Sequence, residues 1–142
     1  MHMSDSPESV VREFLALWSD PQAEELAKFF AEDAVWVAGP NGAHRGAKAV
    51  VDELMRQLSI ARGMWVEVDT LVADGRTVIV EWHGRFTMGG TPIACKVMAA
   101  FEVDANGRIK QMRESFDMKS LTDQIEAAGF QCPGRRPSGV RT

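Results

Sequence analysis

The chain has 142 residues, of which 45% are hydrophobic and 25% charged, as is typical of a single soluble globular domain. Its formal net charge is −4, without a basic cluster in its body, which argues against nucleic acid or a membrane surface as the main partner. No apolar run approaches the length of a transmembrane helix. Two cysteines are too few for a disulfide framework, so we expect a cytoplasmic protein.

The first part of the chain has helical periodicity. Ser6 and Pro7 are typical of a helix start, and a buried stripe at i, i+3, i+4 and i+7 follows, formed by Val11, Phe14, Leu15 and Trp18. A second helix is predicted from Asp20 to about residue 30. A short strand over 34–37 and the loop GPNGAHRG then lead to a third helix with the sequence AKAVVDELMRQL.

From residue 64 the hydrophobic period changes to two. Four strands are predicted, over residues 64–71, 78–88, 93–103 and 109–116, and the turn sequences ADGR, GGTP and DANGR join them into an antiparallel meander. A last helix over about 120–128 ends at Gly129. We therefore predict one α+β domain over residues 6–130, preceded by a disordered segment 1–5 and followed by a tail over 131–142.

Alternation along the strands separates an inner face from an outer one. The inner face, which should contact the helices, contains Val66, Val68, Val78, Val80, Trp82, Gly84, Phe86, Cys95, Val97, Ala99, Phe101, Met112, Glu114 and Phe116. The outer face is charged and mixed, and contains Glu67, Asp69, Glu81, His83, Arg85, Lys96, Met98, Gln111 and Arg113. Only one residue of the inner face carries an ionisable carboxylate.

That residue is Glu114, in the segment MRESFD, where it alternates with Met112 and Phe116. Carboxylates are rarely buried unless they are paired, so two interpretations are open. In the first, the strand end is frayed or bulged, and Glu114 reaches solvent or a structural arginine. In the second, Glu114 projects into a concave pocket and acts there as an acid or base. In the pocket, apolar neighbours would raise its pKa, whereas an arginine near Arg45 or in the tail would lower it.

For the other candidate residues, a structural role is an alternative to a functional one. Trp36 and Trp82 are either an aromatic wall for a flat ligand or ordinary core. Cys95 lacks a histidine to activate it, so a buried thiol is expected. His83 should lie on the outer face unless a bulge turns it inward. The histidines have no metal-ligand spacing and neither nucleotide-binding fingerprint is present, so we expect no metal and no cofactor.

The order of these elements resembles the nuclear transport factor two-like superfamily, with DAVW before a loop and HRGAKAV after it. The stretches VEWHG and AAFEVDANGRIKQMRESFDM look most like its SnoaL-like and limonene-1,2-epoxide hydrolase branch. The resemblance covers nearly the whole chain. It implies a cone in which three N-terminal helices pack inside a curved antiparallel sheet that encloses a pocket.

The matching positions differ from the best-known active sites of that superfamily. The Arg-x-Asp pair of the epoxide hydrolases falls on Trp82 and Gly84, and their Tyr-x-Asn pair falls on Trp36 and Ala38. Their second aspartate falls on Glu114, so one carboxylate is retained. In the ketosteroid isomerase branch, the tyrosine, the base and the buried acid fall on Phe14, Ala38 and Val97. The resemblance implies a pocket and argues against both reactions.

These observations predict a cofactor-free enzyme that acts on a small apolar, aromatic or terpenoid molecule, with Glu114 as acid and base in an isomerase, dehydratase, lyase or cyclase reaction. Residues expected to contact the substrate are Trp36, Val80, Trp82, Cys95, Val97, Met112 and Phe116, with His83 and Arg45 as secondary polar candidates. The alternatives are an epoxide hydrolase with a modified triad and a binding protein without chemistry. We also expect a homodimer formed through the outer face of the sheet.

Overall fold

The computed structural model describes residues 6–130, and within them four α-helices and six strands form an α+β domain. The helices are α1 (Pro7–Ala16), α2 (Ala23–Ala27), α3 (Ala47–Ile60) and α4 (Met118–Ala127). The strands are β1 (Phe30–Ala38), β2 (Ala43–Arg45), β3 (Arg62–Asp74), β4 (Thr77–Met88), β5 (Thr91–Val103) and β6 (Ile109–Phe116). The segments expected to be disordered or a tail, 1–5 and 131–142, lie outside the described residues.

The first helix begins where its capping residue predicts. The backbone N–H of Ser9 donates to the Ser6 hydroxyl over 3.2 Å, and Pro7 occupies the first turn, where its missing N–H costs nothing. The apolar stripe of α1 is buried, as its spacing predicts. A short 3₁₀ turn, Leu17–Ser19, then completes the predicted helix and buries Trp18.

Two predicted elements differ from the structure for one reason, namely strand pairing. The second helix ends at Ala27 rather than near residue 30, because Phe30 already belongs to β1 and pairs in register with Ile109. The predicted loop GPNGAHRG contains a 3₁₀ turn, Gly39–Asn41, and the short strand β2, which runs antiparallel to β1. Strand pairing overrides the local sequence preference in both places, over a long range for Phe30 with Ile109 and within a short hairpin for β1 with β2.

The sheet has the strand order β2-β1-β6-β5-β4-β3 and is curved and unclosed. The predicted antiparallel meander is confirmed for β3 to β6. The expectation of a wholly antiparallel sheet is wrong at one pair, because β1 runs parallel to β6. None of the helices within residues 6–130 has both the length and the apolar character that crossing a bilayer requires.

The two faces of the sheet differ as the alternation predicts. Val78, Val80, Ala99, Phe101 and Met112 are buried on the face that packs against the helices. The opposite face carries the exposed and charged residues of β3 to β6. The core therefore lies between α1 to α3 and the concave side of the sheet, and the chain has the cone-shaped architecture expected from the resemblance.

Candidate functional site

Glu114 lies on the inner face, two residues before the end of β6. Its register partners on the neighbouring strands are both alanines, Ala38 on β1 and Ala99 on β5. The glutamate is partly buried, while both alanines are almost completely buried. Its direct register partners on both neighbouring strands therefore have short side chains.

The carboxyl of Glu114 has one hydrogen-bond donor among the described residues, the indole of Trp36. Trp36 Nε1 donates to Glu114 Oε1 over 2.8 Å. Trp36 is 1% exposed and pairs in register with Met112, two residues before Glu114, so the indole reaches diagonally from β1 to β6. An indole N–H can donate but cannot accept, so this contact suits a carboxylate oxygen.

Burial raises the pKa of Glu114 to about 7, against an ordinary value of 4.5, and the hydrogen bond from Trp36 opposes this rise. Protein atoms surround the carboxyl closely even though part of the residue remains accessible, and such surroundings disfavour the charged form. The direction agrees with the expectation from its apolar neighbours. At neutral pH the group is therefore present both as a carboxylic acid and as a carboxylate.

Arg45, which we considered as a partner for this carboxyl, is exposed on β2 and pairs in register with Val35. Among residues 6–130, the influences on the pKa of Glu114 are burial and Trp36, and an arginine is not among them; the arginines of the tail lie outside the described residues. The structure therefore does not bring Arg45 into this site.

The residues predicted to contact a substrate lie on the inner face. Val80, Val97 and Met112 are buried, whereas Cys95 and Phe116 are partly accessible. Burial raises the pKa of the Cys95 thiol, and the charge of Glu114 adds to this effect, so the cysteine is protonated as expected. Cys95 and Phe116 are thus the accessible part of the apolar set around Glu114.

Trp82 is a core residue rather than part of an accessible surface for a ligand. It is 2% exposed, and its ring packs edge-on against Trp18 with centroids 5.4 Å apart. The same ring closes the space above Gly84, since a Cβ atom added there would lie 2.9 Å from Trp82 Cζ3 and 3.0 Å from the carbonyl oxygen of Trp65. The position that the resemblance matches to an aspartate of the epoxide hydrolases has no room for a side chain here.

His83 lies on the outer face, as its alternation with Trp82 predicts, and is not part of the Glu114 site. Its Nδ1 lies 2.8 Å from Asp69 Oδ2 on β3. A groove of about 840 Å³ adjoins this pair, and is bounded on the other side by residues of α4 such as Ser120 and Gln124. We did not predict this groove, because the sequence does not show where α4 packs.

His44 is a further feature of this region that the sequence did not predict. Its ring lies 5.4 Å from that of Trp36, as the two residues pair across β1 and β2. The Nε2 atom of His44 is buried and has no hydrogen-bond partner among the described residues. This contact depends on the pairing of β1 with β2, and the sequence predicts a loop where β2 lies.

Solved structures with this fold include proteins of different activities. A hypothetical protein with a ketosteroid isomerase-like fold from Catenulispora acidiphila DSM 44928, in complex with trimethylamine, is 18% identical, with a TM-score of 0.76 and coverage of 93% of this chain and 99% of its own. An epoxide hydrolase of the LEH-like type from M. tuberculosis is 24% identical, with a TM-score of 0.73 and coverage of 84% and 88%. A protein from Shewanella putrefaciens CN-32, described as a SnoaL-like polyketide cyclase, is 14% identical, with a TM-score of 0.76 and coverage of 85% and 86%.

These identities are below 25%, so the likenesses establish the fold and leave the chemistry open. No curated protein sequence matches the chain. One protein family does, over residues 11–112, which is well over half of the chain and ends two residues before Glu114. The chain belongs to the SnoaL-like domain family.

Proposed function

We propose that the chain is a cofactor-free enzyme that moves a proton on a small, largely apolar molecule, with Glu114 as both acid and base. The observation that carries this proposal is the carboxyl itself, which lies on the inner face, accepts a hydrogen bond from Trp36 and has a pKa of about 7. A catalytic acid or base is most effective when its pKa lies near the working pH. A carboxyl whose pKa is strongly perturbed and which has a specific partner is a candidate for a functional site.

The two oxygens of the carboxyl have different roles in this proposal. Oε1 accepts the Trp36 hydrogen, which fixes the orientation of the group. Oε2 has no hydrogen-bond partner among residues 6–130, so it is the oxygen that takes the proton from the substrate and returns it. Because the indole cannot give up its proton at ordinary pH, Trp36 positions the carboxylate and does not take part in the transfer.

The surroundings of Glu114 favour an apolar substrate. Met112 and Ala99 on the sheet and the partly accessible Cys95 and Phe116 offer few hydrogen bonds, so they favour contact with a hydrocarbon-rich aromatic or terpenoid skeleton over a polar one. The polar atom at which the proton is transferred would be the part of the substrate that meets Oε2.

A single carboxyl limits the reaction types. Isomerisation, dehydration, carbon–carbon cleavage and cyclisation each remove a proton at one atom and deliver a proton at another, and one group can perform both steps in turn. Relatives of similar fold include a cyclase-like and an epoxide hydrolase-like protein. Hydrolysis of an epoxide by the acid and base arrangement of that branch would need a second carboxylate at position 84, where the backbone of Trp65 and the ring of Trp82 occupy the space.

The test compares Glu114→Gln with the wild type on a panel of aromatic and terpenoid compounds, measuring ligand binding by thermal shift and turnover by product analysis. The expected result is a compound that both proteins bind with similar affinity and that only the wild type converts, with a loss of rate of about 10²-fold or more. The matched control is Glu102→Gln, because Glu102 is an outer-face carboxylate bonded to Thr77 and Arg113. A substrate that Glu114→Gln converts at the wild-type rate would overturn the proposal, and ligands that bind without conversion by either protein would favour a binding module.

A homodimer through the outer face remains part of this proposal. An exposed apolar patch crosses three adjacent strands, made of Val72 on β3, Ile79 on β4 and Met98 on β5. Contiguous exposed apolar residues on a sheet face mark contact sites. We expect a dimer mass in light scattering for the wild type and a monomer for Met98→Lys, whereas Lys110→Met, a change of opposite polarity on β6, should leave the dimer intact. A wild-type monomer at high micromolar concentration would contradict this expectation.

A further inference from the structure

The outer face carries a cluster of three potential metal ligands that lies away from the Glu114 site. Glu67 and Asp69 on β3 and His83 on β4 each offer one donor atom, and these three atoms all lie within 4.8 Å of one another. Asp69 Oδ2 and His83 Nδ1 are the closest pair, at 2.8 Å. The cluster combines one imidazole nitrogen with two carboxylate oxygens, so it is not merely an acidic patch.

The sheet builds this cluster by means of a β-bulge. Glu67 and His83 are direct register partners, and the pairing continues with Val68 opposite Trp82. The next pair is Thr70 opposite Glu81, which leaves Asp69 as an extra residue without a partner. A bulge of this kind redirects side chains, and here it places Asp69 and Thr70 consecutively on the outer, exposed side.

Each outward residue of the bulge has its own contact on β4. Asp69 meets His83, and the hydroxyl of Thr70 donates to Glu81 Oε1 over 3.1 Å. The ring of His83 also packs edge-on against Trp65, with centroids 5.5 Å apart. The imidazole is thus held between Trp65 and Asp69.

We propose that Glu67, Asp69 and His83 bind a divalent transition-metal ion such as Zn²⁺ or Co²⁺. One nitrogen and two oxygens are ligands that these ions accept, with metal–ligand distances of about 2.0–2.2 Å. Ligand atoms at that distance from a shared ion stand roughly 3–3.5 Å apart in a tetrahedral site. The observed spacing therefore needs only side-chain rotation of exposed carboxylates, with no movement of the strands.

The charges near the cluster are compatible with a cation. A metal ion binds ionised carboxylates and a neutral imidazole, and in those forms the three ligands carry a net charge of −2. The guanidinium of Arg85 stacks over the ring of Trp65, 4.6 Å from its centroid, and is occupied there. Lys96, the register partner of His83 on β5, is exposed, so its flexible side chain can swing into solvent.

The adjoining groove leaves space beside two of the three proposed ligands, Asp69 and His83. Asp69 and His83 line this space of about 840 Å³, so the remaining positions on the ion face a region that admits water or a small anionic ligand. Three protein ligands with an open fourth position are the pattern of a metal site that binds exchangeable ligands. The inference does not rest on the proposed role of Glu114, which lies on the other face of the sheet.

The test is a titration of the full chain with Zn²⁺ alone by calorimetry and with Co²⁺ by visible absorption. The expected result is saturable binding of one ion per chain with a Kd below about 100 µM, and Co²⁺ bands that report a nitrogen ligand. His83→Gln and Asp69→Asn should each weaken binding by about tenfold or more. Circular dichroism of each variant establishes that it is folded.

Three control variants distinguish the proposed site from other residues that could bind the metal. His2→Gln and His44→Gln remove the two other histidines of the chain, and both should bind the metal as the wild type does. Glu114→Gln should also bind normally, since it leaves the outer face unchanged. Absence of saturable binding by the wild type, or equal affinity in folded His83→Gln, would overturn the assignment. Loss of binding in His2→Gln would overturn it as well, because the ion would then be held by the N-terminal segment.

Discussion

Trp36 on β1 donates its indole N–H to Glu114 on β6 over 2.8 Å, between the two strands of the sheet that run parallel to each other. The donor and the acceptor are separated by 78 positions in the chain. Since the indole does not ionise at ordinary pH, this contact stabilises the carboxylate without competing for the proton. The pKa of Glu114 is therefore set by two opposing influences, which can be changed separately.

Replacing Trp36 by phenylalanine should raise the pKa of Glu114 above its value of about 7. Phenylalanine retains an aromatic ring in this buried position and removes the N–H whose hydrogen bond favours the charged form. Titration of the Glu114 side-chain carboxyl by carbon NMR, assigned with Glu114→Gln, measures the change. If a reaction rate depends on the ionised form of Glu114, the acidic limb of its pH–rate profile should shift to higher pH by the same amount.

Trp82→Phe is the matched control for this substitution, because it also replaces a buried indole but one without a hydrogen bond to Glu114. In that variant the Glu114 carboxyl should titrate as in the wild type. An unchanged or lower pKa in Trp36→Phe would show that the indole hydrogen bond does not stabilise the carboxylate.

The raised pKa of Glu114 should make the fold less stable as pH increases. Between the unfolded value of 4.5 and the folded value of about 7, the folded chain keeps a proton that the unfolded chain has lost. Raising the pH through this window therefore favours the unfolded state, and the cost is complete above pH 7. For a shift of this size the cost is on the order of 3 kcal/mol, as an upper value for a group that remains partly accessible.

Urea unfolding at several pH values measures this effect as the difference between Glu114→Gln and the wild type. The variant should gain stability relative to the wild type as pH rises from 5 to about 8. Glu102→Gln provides a control of opposite sign. Hydrogen bonds from Thr77 and Arg113 lower the pKa of Glu102, so its contribution is present above its unfolded pKa and is lost as pH falls. A pH-independent difference for Glu114→Gln would contradict the raised pKa.

The alternation of residues along the strands predicts much of this site. It placed Val80 and Glu114 on the inner face and His83 on the outer one, because side chains of a strand alternate strictly while the pairing is regular. The Trp36 contact could not be predicted in this way. It depends on the parallel pairing of β1 with β6, which brings together segments from opposite ends of the chain.

The cluster of Glu67, Asp69 and His83 was missed for a related reason. These residues have no metal-ligand spacing along the chain, because they meet across β3 and β4. The bulge at Asp69 also shifts the alternation of β3, so that Val72 faces outward. A bulge leaves no distinctive pattern in a single sequence, and the pairing of the strands has to be known before it can be located.

Gly84→Ala should destabilise the fold by about 1–3 kcal/mol, because the added methyl group would overlap the ring of Trp82 and the carbonyl oxygen of Trp65. The measurement is urea unfolding of the single variants and of the double variant with Trp82→Phe. Phenylalanine lacks the outer ring that approaches Gly84, so the cost of Gly84→Ala should be smaller in that background. Stability of Gly84→Ala within about 0.5 kcal/mol of the wild type would show that the site can accommodate a side chain.

Gln124 on α4 should determine how firmly that helix is attached to the sheet. The backbone N–H of Ala94 donates to Gln124 Oε1 over 2.9 Å, and Gln124 Nε2 donates to the Ala94 carbonyl over 2.8 Å. Ala94 lies on the part of β5 that extends beyond the end of β6, so the Gln124 side chain takes the place of a neighbouring strand there. Gln124→Ala leaves both backbone groups without their protein partner, and we expect a loss of about 1–2 kcal/mol. Hydrogen exchange at the Ala94 amide should accelerate, whereas Lys119→Ala, which removes an exposed pair with Asp123, should leave this amide protected. Unchanged exchange in Gln124→Ala would mean that the apolar contacts of Leu121 and Ile125 hold α4 in place without the amide.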